Sequence, residues 1–479
     1  MRQVTGANGV IFADGDLNIE VVSNSSFTTS KTSTDDLYGI QANGKLNISG
    51  SGKLTVTANG NGNVYGIYAD KGVTISAPLD VQVGKVDSSK NGSLYGIYTK
   101  SGAISLPGND MTVTATGGTS TVYGVFNAAD TSAIADNGNI TISGKLTVNL
   151  SNGSYNRGIS SQGGVITLNG ATVKIPGNYY YGIFNKSGNV VIKSSPDVNI
   201  SSDISDNRGI CTYTGGDLTI ENSTVKVSAN GPAADLKGNV SIKDSMVELT
   251  RTSSYYEVIR TDNSSATITI DLSTEGSVTL TASGEQTNNA MITGKVTLVG
   301  SAKCEKGKPN GNSYDGAYDG SSKTVLKFVH ESTTPTATVG DVTIGGVKDS
   351  PITNQEVTIK LTNDKFKAIA KDTNVKGWFT NLPTDLDAKI KTAVKDNDTT
   401  ATIEISGTPS VTSSAPLIIK IPAANLVTST SGLDVMSNTN AKFAITTPIT
   451  ETLVPVTNLS KTYNESAQEP SFGDSLNRD

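Results

Sequence analysis

The chain repeats one short phrase, in which a glycine follows a bulky or polar residue and precedes isoleucine or valine. Successive copies place their glycines 24 to 34 residues apart, a spacing typical of proteins whose repeats stack on one another. The period therefore decides the fold class. The seven clear copies are Leu37-Tyr38-Gly39-Ile40, Val64-Tyr65-Gly66-Ile67-Tyr68, Leu94-Tyr95-Gly96-Ile97-Tyr98, Val122-Tyr123-Gly124-Val125-Phe126, Asn156-Arg157-Gly158-Ile159, Tyr180-Tyr181-Gly182-Ile183-Phe184 and Asn207-Arg208-Gly209-Ile210.

Each repeat also contains two shorter runs in which apolar and polar residues alternate, a pattern that predicts β-strands. Asn-Gly and Asp-Gly pairs between the runs supply the positive φ of tight turns. Three strands fit either an antiparallel meander or one coil of a parallel β-helix, but only a coil returns one phrase to the same place. We predict an all-β fold that begins with a right-handed parallel β-helix of about ten coils, the hand following the general preference of parallel connections.

The pattern changes near residue 332, and longer strands separated by prolines follow. We predict a parallel β-helix at 1–332 and, at 336–447, a β-sandwich that resembles the immunoglobulin-like modules of bacterial surface proteins. Within it, Trp378 is expected to anchor the core, and residues 365–370 could form a short helix. Residues 448–479 resemble the start of a further, truncated β repeat or a linker. We also expect sequence to be missing upstream, because the first repeat begins without a cap.

Charge and composition exclude several classes of function. The net charge of −6 and pI of about 5.1 leave no basic stripe for nucleic acid. No apolar run is long enough to span a bilayer, and the first residues lack the apolar core of a signal peptide. Cys211 and Cys304 are too far apart for a metal or redox motif and are expected to be buried thiols.

The phrase defines two columns of side chains, one per coil. The isoleucine is expected to face the interior, so the residue after it should point outward. We call the stack of these outward residues the second column; the first column, described below, is the stack of residues before the glycine. By the same alternation the glycine should lie outside and form a shallow trough. The aromatic members Tyr68, Tyr98, Phe126 and Phe184 could bind the apolar faces of sugar rings there, or could stabilise the ladder with no ligand. The second column reads Gln41, Tyr68, Tyr98, Phe126, Ser160, Phe184 and Cys211.

The residue before each glycine forms the first column. Simple alternation would bury it, but Arg157 and Arg208 argue for a position that reaches solvent, because an unpaired buried guanidinium is costly. The two arginines should lie two coils, roughly 10 Å, apart. They could bind acidic sugars or could be solvated. The first column reads Tyr38, Tyr65, Tyr95, Tyr123, Arg157, Tyr181 and Arg208.

Catalysis is disfavoured by the residues present. The single histidine, His330, falls at the junction of the two modules, where a linker position is expected. Most aspartates in the coils stand beside Gly, Asn or Pro, where their side chains serve turns. No column places two carboxylates in adjacent coils, as a two-carboxylate glycosidase would require. Catalytic residues are therefore expected to be absent.

The stretch Tyr-Gly-Ile-Tyr-Ala-Asp-Lys-Gly-Val-Thr-Ile at 65–75, with its echoes, resembles the carbohydrate-binding parallel β-helix proteins of clostridia and related Firmicutes, which are similar to pectate lyases in fold. The likeness covers about residues 1–300. It implies an extracellular surface or secreted protein that binds polysaccharide or mediates adhesion without catalysis. The family includes members with Ca²⁺; no metal motif matches here, so no cofactor is expected, and calcium binding stays an open alternative. The alternatives are a polysaccharide lyase or glycoside hydrolase and a purely structural stalk.

Overall fold

The computed structural model describes residues 9–117, 121–130, 137–253, 256–261, 265–283, 291–310, 313–318, 323–331 and 334–448. The chain divides into two compact units, Met1–Ser332 and Thr333–Asp479. Both units are all-β. The described residues contain no α-helix, and two short 3-10 turns lie in the second unit, at Lys376–Trp378 and Ala423–Asn425.

The first unit is a parallel β-solenoid of about ten turns, which confirms the prediction of stacked coils. Each coil gives one strand to each of three sheets, and each strand pairs with its counterpart in the next coil. Sheet 1 contains Gly9–Ala13, Leu37–Ala42, Val64–Ala69, Leu94–Thr99, Thr121–Asn127, Tyr155–Ser161, Tyr181–Asn185, Arg208–Thr212, Ala234–Leu236 and Ile259–Thr261.

Sheets 2 and 3 complete each coil. Sheet 2 contains Leu17–Glu20, Leu46–Ser49, Val73–Ile75, Ile104–Leu106, Ile140–Ile142, Ile166–Asn169, Val190–Lys193, Leu218–Glu221, Val240–Lys243, Thr267–Asp271 and Lys295–Val299. The parallel part of sheet 3 contains Ser25–Lys31, Leu54–Gly60, Leu79–Gly84, Met111–Thr116, Lys145–Ser151, Thr172–Pro176, Asp197–Ser201, Thr224–Ala229, Met246–Arg251 and Ser277–Ser283.

Stacked aliphatic columns fill the interior of the solenoid. The isoleucines of the phrase, such as Ile40 and Ile97, are fully buried, as predicted, among valines and leucines from the other two sheets. Buried amides satisfy the backbone at a corner: Asn127 Nδ2 donates to the Gly102 and Asn139 carbonyls at 2.9 and 3.1 Å. Because buried backbone groups need such partners, these polar columns fix the turn from sheet 1 to sheet 2.

The last coil ends in antiparallel pairing. The strand Lys323–His330 runs antiparallel to Ser277–Ser283. On its other edge, Lys323–His330 pairs with Ala302–Lys306 and with Ala317–Tyr318, both antiparallel. Lys308–Asn310 and Ser313–Asp315 form a small hairpin. His330 therefore ends a strand, with Nδ1 2.6 Å from the Leu272 carbonyl oxygen, and the expectation that it lies in a linker was wrong.

The second unit has a core of its own. Thr336–Val339, Ile352–Thr362, Thr400–Gly407 and Leu386–Ile390 form an antiparallel sheet; Val342–Val347 pairs in parallel with Ala441–Thr446, and Lys420–Ile421 pairs antiparallel with Leu433–Asp434. Trp378 is buried and stacks on Phe366 with ring centroids 6.3 Å apart. Residues 365–370 form no helix; Phe366 and Ile369 instead make isolated bridges to Leu426 and Val394.

Candidate functional site

The outer surface of sheet 1 carries both columns side by side. Register pairs Tyr38 with Tyr65, Tyr65 with Tyr95 and Tyr95 with Tyr123, and the first column continues through Arg157, Tyr181 and Arg208. The second column runs alongside it, three residues further along each strand. In each aromatic coil the two outward rings contact each other; the Tyr65 and Tyr68 centroids, for example, are 5.2 Å apart.

The glycine of the phrase points inward, so the predicted outer trough was wrong. A Cβ on Gly66 would lie 2.3 Å from Val81 Cγ1, a core side chain of sheet 3, and 2.8 Å from the Gly96 carbonyl oxygen. Glycine and isoleucine are neighbours in the chain, and both face the core. The residues on either side of this pair, such as Tyr65 and Tyr68, therefore both face outward. Strict alternation of a flat strand fails at this position.

The tyrosines of the first column stack face to face. Ring centroids are 4.9 Å apart from Tyr38 to Tyr65, 4.7 Å from Tyr65 to Tyr95 and 5.0 Å from Tyr95 to Tyr123, with interplanar angles of 4 to 8°. In the second column, Tyr68 stacks on Tyr98 at 5.2 Å. Each ring face is covered by the next ring, so the faces are closed to solvent; Tyr65 is buried, whereas Tyr38, Tyr95 and Tyr123 are half-buried.

The phenol groups are held in their neutral form. Burial, aided by Asp36, raises the pKa of Tyr38 to about 12, and burial raises that of Tyr95 to about 12 despite its hydrogen bond with Ser93. The Tyr68 hydroxyl donates to Asp70 Oδ1 at 2.7 Å; burial and this hydrogen bond raise its pKa too. The phenols therefore stay protonated over the whole neutral range, and because Tyr38 and Tyr68 donate their hydrogens to Asp36 and Asp70, their oxygens are left to accept hydrogen bonds.

The two phenylalanines of the second column are buried. Phe126 and Phe184 lie on the outer side of sheet 1, yet their side chains are buried. They do not offer the open ring faces expected of a sugar platform. Tyr68 and Tyr98 are half-buried and remain accessible at their edges. Of the four aromatic residues predicted to bind sugar, only these two reach the surface.

Arg157 fills the gap that the small Ser160 leaves in the second column. Its guanidinium carbon lies 4.1 Å from the centroid of Phe184 and 5.6 and 5.4 Å from those of Tyr123 and Tyr181. Such cation–π contacts hold the guanidinium among the three rings. Its Nε is buried with no hydrogen-bond partner, and no carboxylate pairs with it among the residues that the structure describes. Arg157 is half-buried, and its charge is not committed to an ion pair there.

Arg208, in contrast, is already paired. Its Nε donates to Asp235 Oδ2 at 2.6 Å, and Arg260 binds the same carboxylate through Nε and Nη2 at 2.9 and 2.7 Å. Asp235 is only 7% exposed. Removing one partner of a buried ion pair destabilises the folded protein strongly, because the other charge is left buried and uncompensated. Two coils separate Arg157 from Arg208, as predicted, but only Arg157 has an uncommitted charge.

Sequence reasoning missed Asp235 and Arg260. Both belong to the second column, since Cys211 pairs with Asp235 and Asp235 with Arg260. Extending the column through the weaker repeats at Ala234 and Ile259 would have found them. Cys211 is buried beside this cluster, and burial raises the pKa of its thiol to about 12, so it is a poor nucleophile at neutral pH.

No family model, curated protein or solved structure matches this chain. In the portion that the structure describes, no helix is long and apolar enough to cross a membrane. Over the same residues, no three side chains of His, Cys, Asp or Glu are grouped so that they could hold a metal ion.

Proposed function

We propose that the first unit is an extracellular, non-catalytic module that binds an acidic polysaccharide along the outer surface of sheet 1, in adhesion or in retention of glycan. The observation that carries the proposal is Arg157, a half-buried guanidinium among aromatic rings that forms no ion pair with any carboxylate the structure describes. Carboxylates are preferred partners of such a group, because its N–H donors match their two oxygens. Uronates are sugars that carry a carboxylate.

The tyrosine ladder supplies the rest of the surface. The ring centroids of the tyrosines repeat at 4.7 to 5.0 Å along the first column, close to the spacing of neighbouring strands. A polymer lying along the axis would meet the half-buried phenols of Tyr38, Tyr95 and Tyr123 and hydrogen-bond to them. The sugar would contact edges rather than ring faces, which is a different mode from face stacking.

We propose that the second unit serves as a spacer. Its antiparallel sheet and separate core suit a spacer, and we propose an immunoglobulin-like sandwich for it. A spacer of this kind would neither bind the polysaccharide nor act on it.

A structural stalk is the second candidate, and one observation favours it: the tyrosine faces stack on one another, which stabilises the ladder with no ligand. Tyr98→Phe separates the two, because it removes a hydroxyl and keeps the ring. A binding surface predicts a loss of affinity of severalfold with little change in melting temperature. A stalk predicts no measurable affinity before or after the change.

Binding is tested by isothermal titration of the full chain with polygalacturonate and with a neutral polymer. We expect the acidic polymer to bind more tightly, and its affinity to fall as salt rises, since exposed charges are screened over about 8 Å at physiological ionic strength. Equal affinity for both polymers would contradict the assignment to acidic glycan. Release of soluble sugar products would favour the lyase or hydrolase alternative.

A further inference from the structure

A groove of about 530 Å³ lies on another edge of the solenoid, at the turns from sheet 2 to sheet 3. It crosses four successive coils and is lined by residues 194–196, 222–224 and 275–277 together with Asp244 and Met246. None of the outward aromatic or arginine residues of sheet 1 contributes to it. It is a separate feature of the molecule.

Three short turns form a rigid floor. Each contains one residue with positive φ, Ser194, Asn222 or Asp244, at 47, 48 and 42°, followed by a buried serine. The serines link the coils: Ser195 N–H donates to Ser223 Oγ at 3.0 Å, and Ser223 N–H donates to Ser245 Oγ at 3.1 Å. A floor whose groups are already hydrogen-bonded costs little entropy to present to a ligand.

The fourth turn is longer and forms the wall. Residues 272–276 connect the strands there, and Asp244 Oδ1 accepts the Thr274 N–H at 2.8 Å. Burial opposes the charge of Asp244, but hydrogen bonds from the backbone of Thr274 and Glu275 outweigh it and lower its pKa. Asp244 therefore stays ionised while it positions the wall.

The lining combines polar and apolar groups. Thr224, Met246 and Ser277 succeed one another in register, one per coil, and Met246 is 57% exposed. Pro196 adds a second apolar surface. The lining includes two carboxylates, those of Asp244 and Glu275, and neither lysine nor arginine. Apolar patches with a few fixed polar groups are typical of small-ligand sites.

We propose that this groove binds a neutral oligosaccharide of about three rings. Three coil steps of about 4.8 Å make the groove about 14 Å long, and sugar rings present both C–H faces for Met246 and Pro196 and hydroxyls for the polar groups. Carboxylates accept hydrogen bonds from sugar hydroxyls, but they repel a uronate. The site differs in charge from the sheet 1 surface and does not depend on it.

The test is titration of the full chain with cellotriose and triacetylchitotriose. Thr224→Arg places a long side chain in the groove, and Thr141→Arg, on an exposed position of sheet 2 outside it, is the matched control. We expect at least one neutral trisaccharide to bind, Thr224→Arg to weaken it at least tenfold, and Thr141→Arg to leave it unchanged. Circular dichroism checks that both variants fold.

Trigalacturonate is tested in the Arg157→Ala variant, so that the sheet 1 surface does not contribute. We expect no binding and no competition with the neutral sugar. The proposal is overturned if neither neutral trisaccharide binds, if Thr224→Arg binds as the wild type does, or if trigalacturonate competes equally. Failure of the sheet 1 proposal would appear separately, in the response of polygalacturonate binding to Arg157 variants.

Discussion

Substituting a phrase glycine by alanine should destabilise the solenoid strongly. At Gly96, an added Cβ would lie 2.1 Å from Val113 Cγ1 and 2.6 Å from the Gly124 carbonyl oxygen. The first contact is a core side chain and the second is backbone of the neighbouring coil. Neither can move far, because Val113 is fully buried and the carbonyl belongs to the stacked sheet.

The magnitude follows from overpacking. Extra methylenes in a well-packed core typically cost about 1–3 kcal/mol, and the backbone contact sets Gly96→Ala at the upper end, about 3 kcal/mol or more. Loss of freedom in the unfolded chain offsets only about 0.4–1 kcal/mol. Gly215→Ala is the matched control, since nothing lies within 4 Å of its added Cβ; we expect a change of less than about 1 kcal/mol.

Urea unfolding, followed by two signals, measures the effect. Far-ultraviolet circular dichroism reports both units, whereas fluorescence of the single tryptophan, Trp378, reports the second unit. Gly96→Ala should shift the first unit's transition and leave the fluorescence transition in place. Val113→Ala in the same chain removes Cγ1 and should recover part of the loss. Equal stability of Gly96→Ala and Gly215→Ala would refute the inward placement of the glycine.

Three further predictions concern other parts of the chain. Trp378→Ala should cost about 3–5 kcal/mol, measured by circular dichroism; a change below about 1 kcal/mol would contradict its place in the core. Burial raises the pKa of Asp364, but hydrogen bonds from Ser429, Thr428 and Lys365 outweigh it and lower the pKa to about 2 from 3.8. Ionised Asp364 therefore contributes about 2 kcal/mol to the free energy of unfolding. This contribution is present above pH 3.8 and is lost as pH falls towards 2. Asp364→Asn should flatten that acid dependence; an unchanged acid profile would count against it. Tyr38 and Tyr95, with pKa values raised to about 12, should remain protonated in the folded protein at pH 11, and their share of stability should fall as pH rises above 10; phenolate absorbance that reaches its full amplitude by pH 11 would disagree.

The sequence predicts the solenoid well, for a physical reason. A stacked coil returns each residue to the same environment, so Ile40, Ile67 and Ile97 repeat because one interior column requires them. The same logic predicted the outward position of Tyr68 and Tyr98. Periodicity is thus sufficient wherever an environment repeats without interruption.

The details that failed depend on breaks in that regularity. Two successive inward residues, such as Gly66 and Ile67, cannot be inferred from strict alternation. Burial of Phe126 follows from how neighbouring rings pack, and pairing of Arg208 follows from Asp235 in the next coil, whose register depends on the intervening loop. Pairing across coils of unequal length is set by tertiary structure.

The central claim is that Arg157 gives the sheet 1 surface affinity for acidic glycan. The direct test measures polygalacturonate affinity and melting temperature on the same samples of wild type, Arg157→Ala, Arg157→Lys and Lys226→Ala. Lys226 is an exposed cation of sheet 3 and serves as the control.

We predict that Arg157→Ala weakens binding about tenfold or more, the loss of a hydrogen bond to a charged group. Arg157→Lys should recover part of the affinity, since it keeps the charge without the planar fork, and Lys226→Ala should bind as the wild type does. Arg157→Ala that binds like the wild type, or that melts many degrees lower with its affinity intact, would contradict the account.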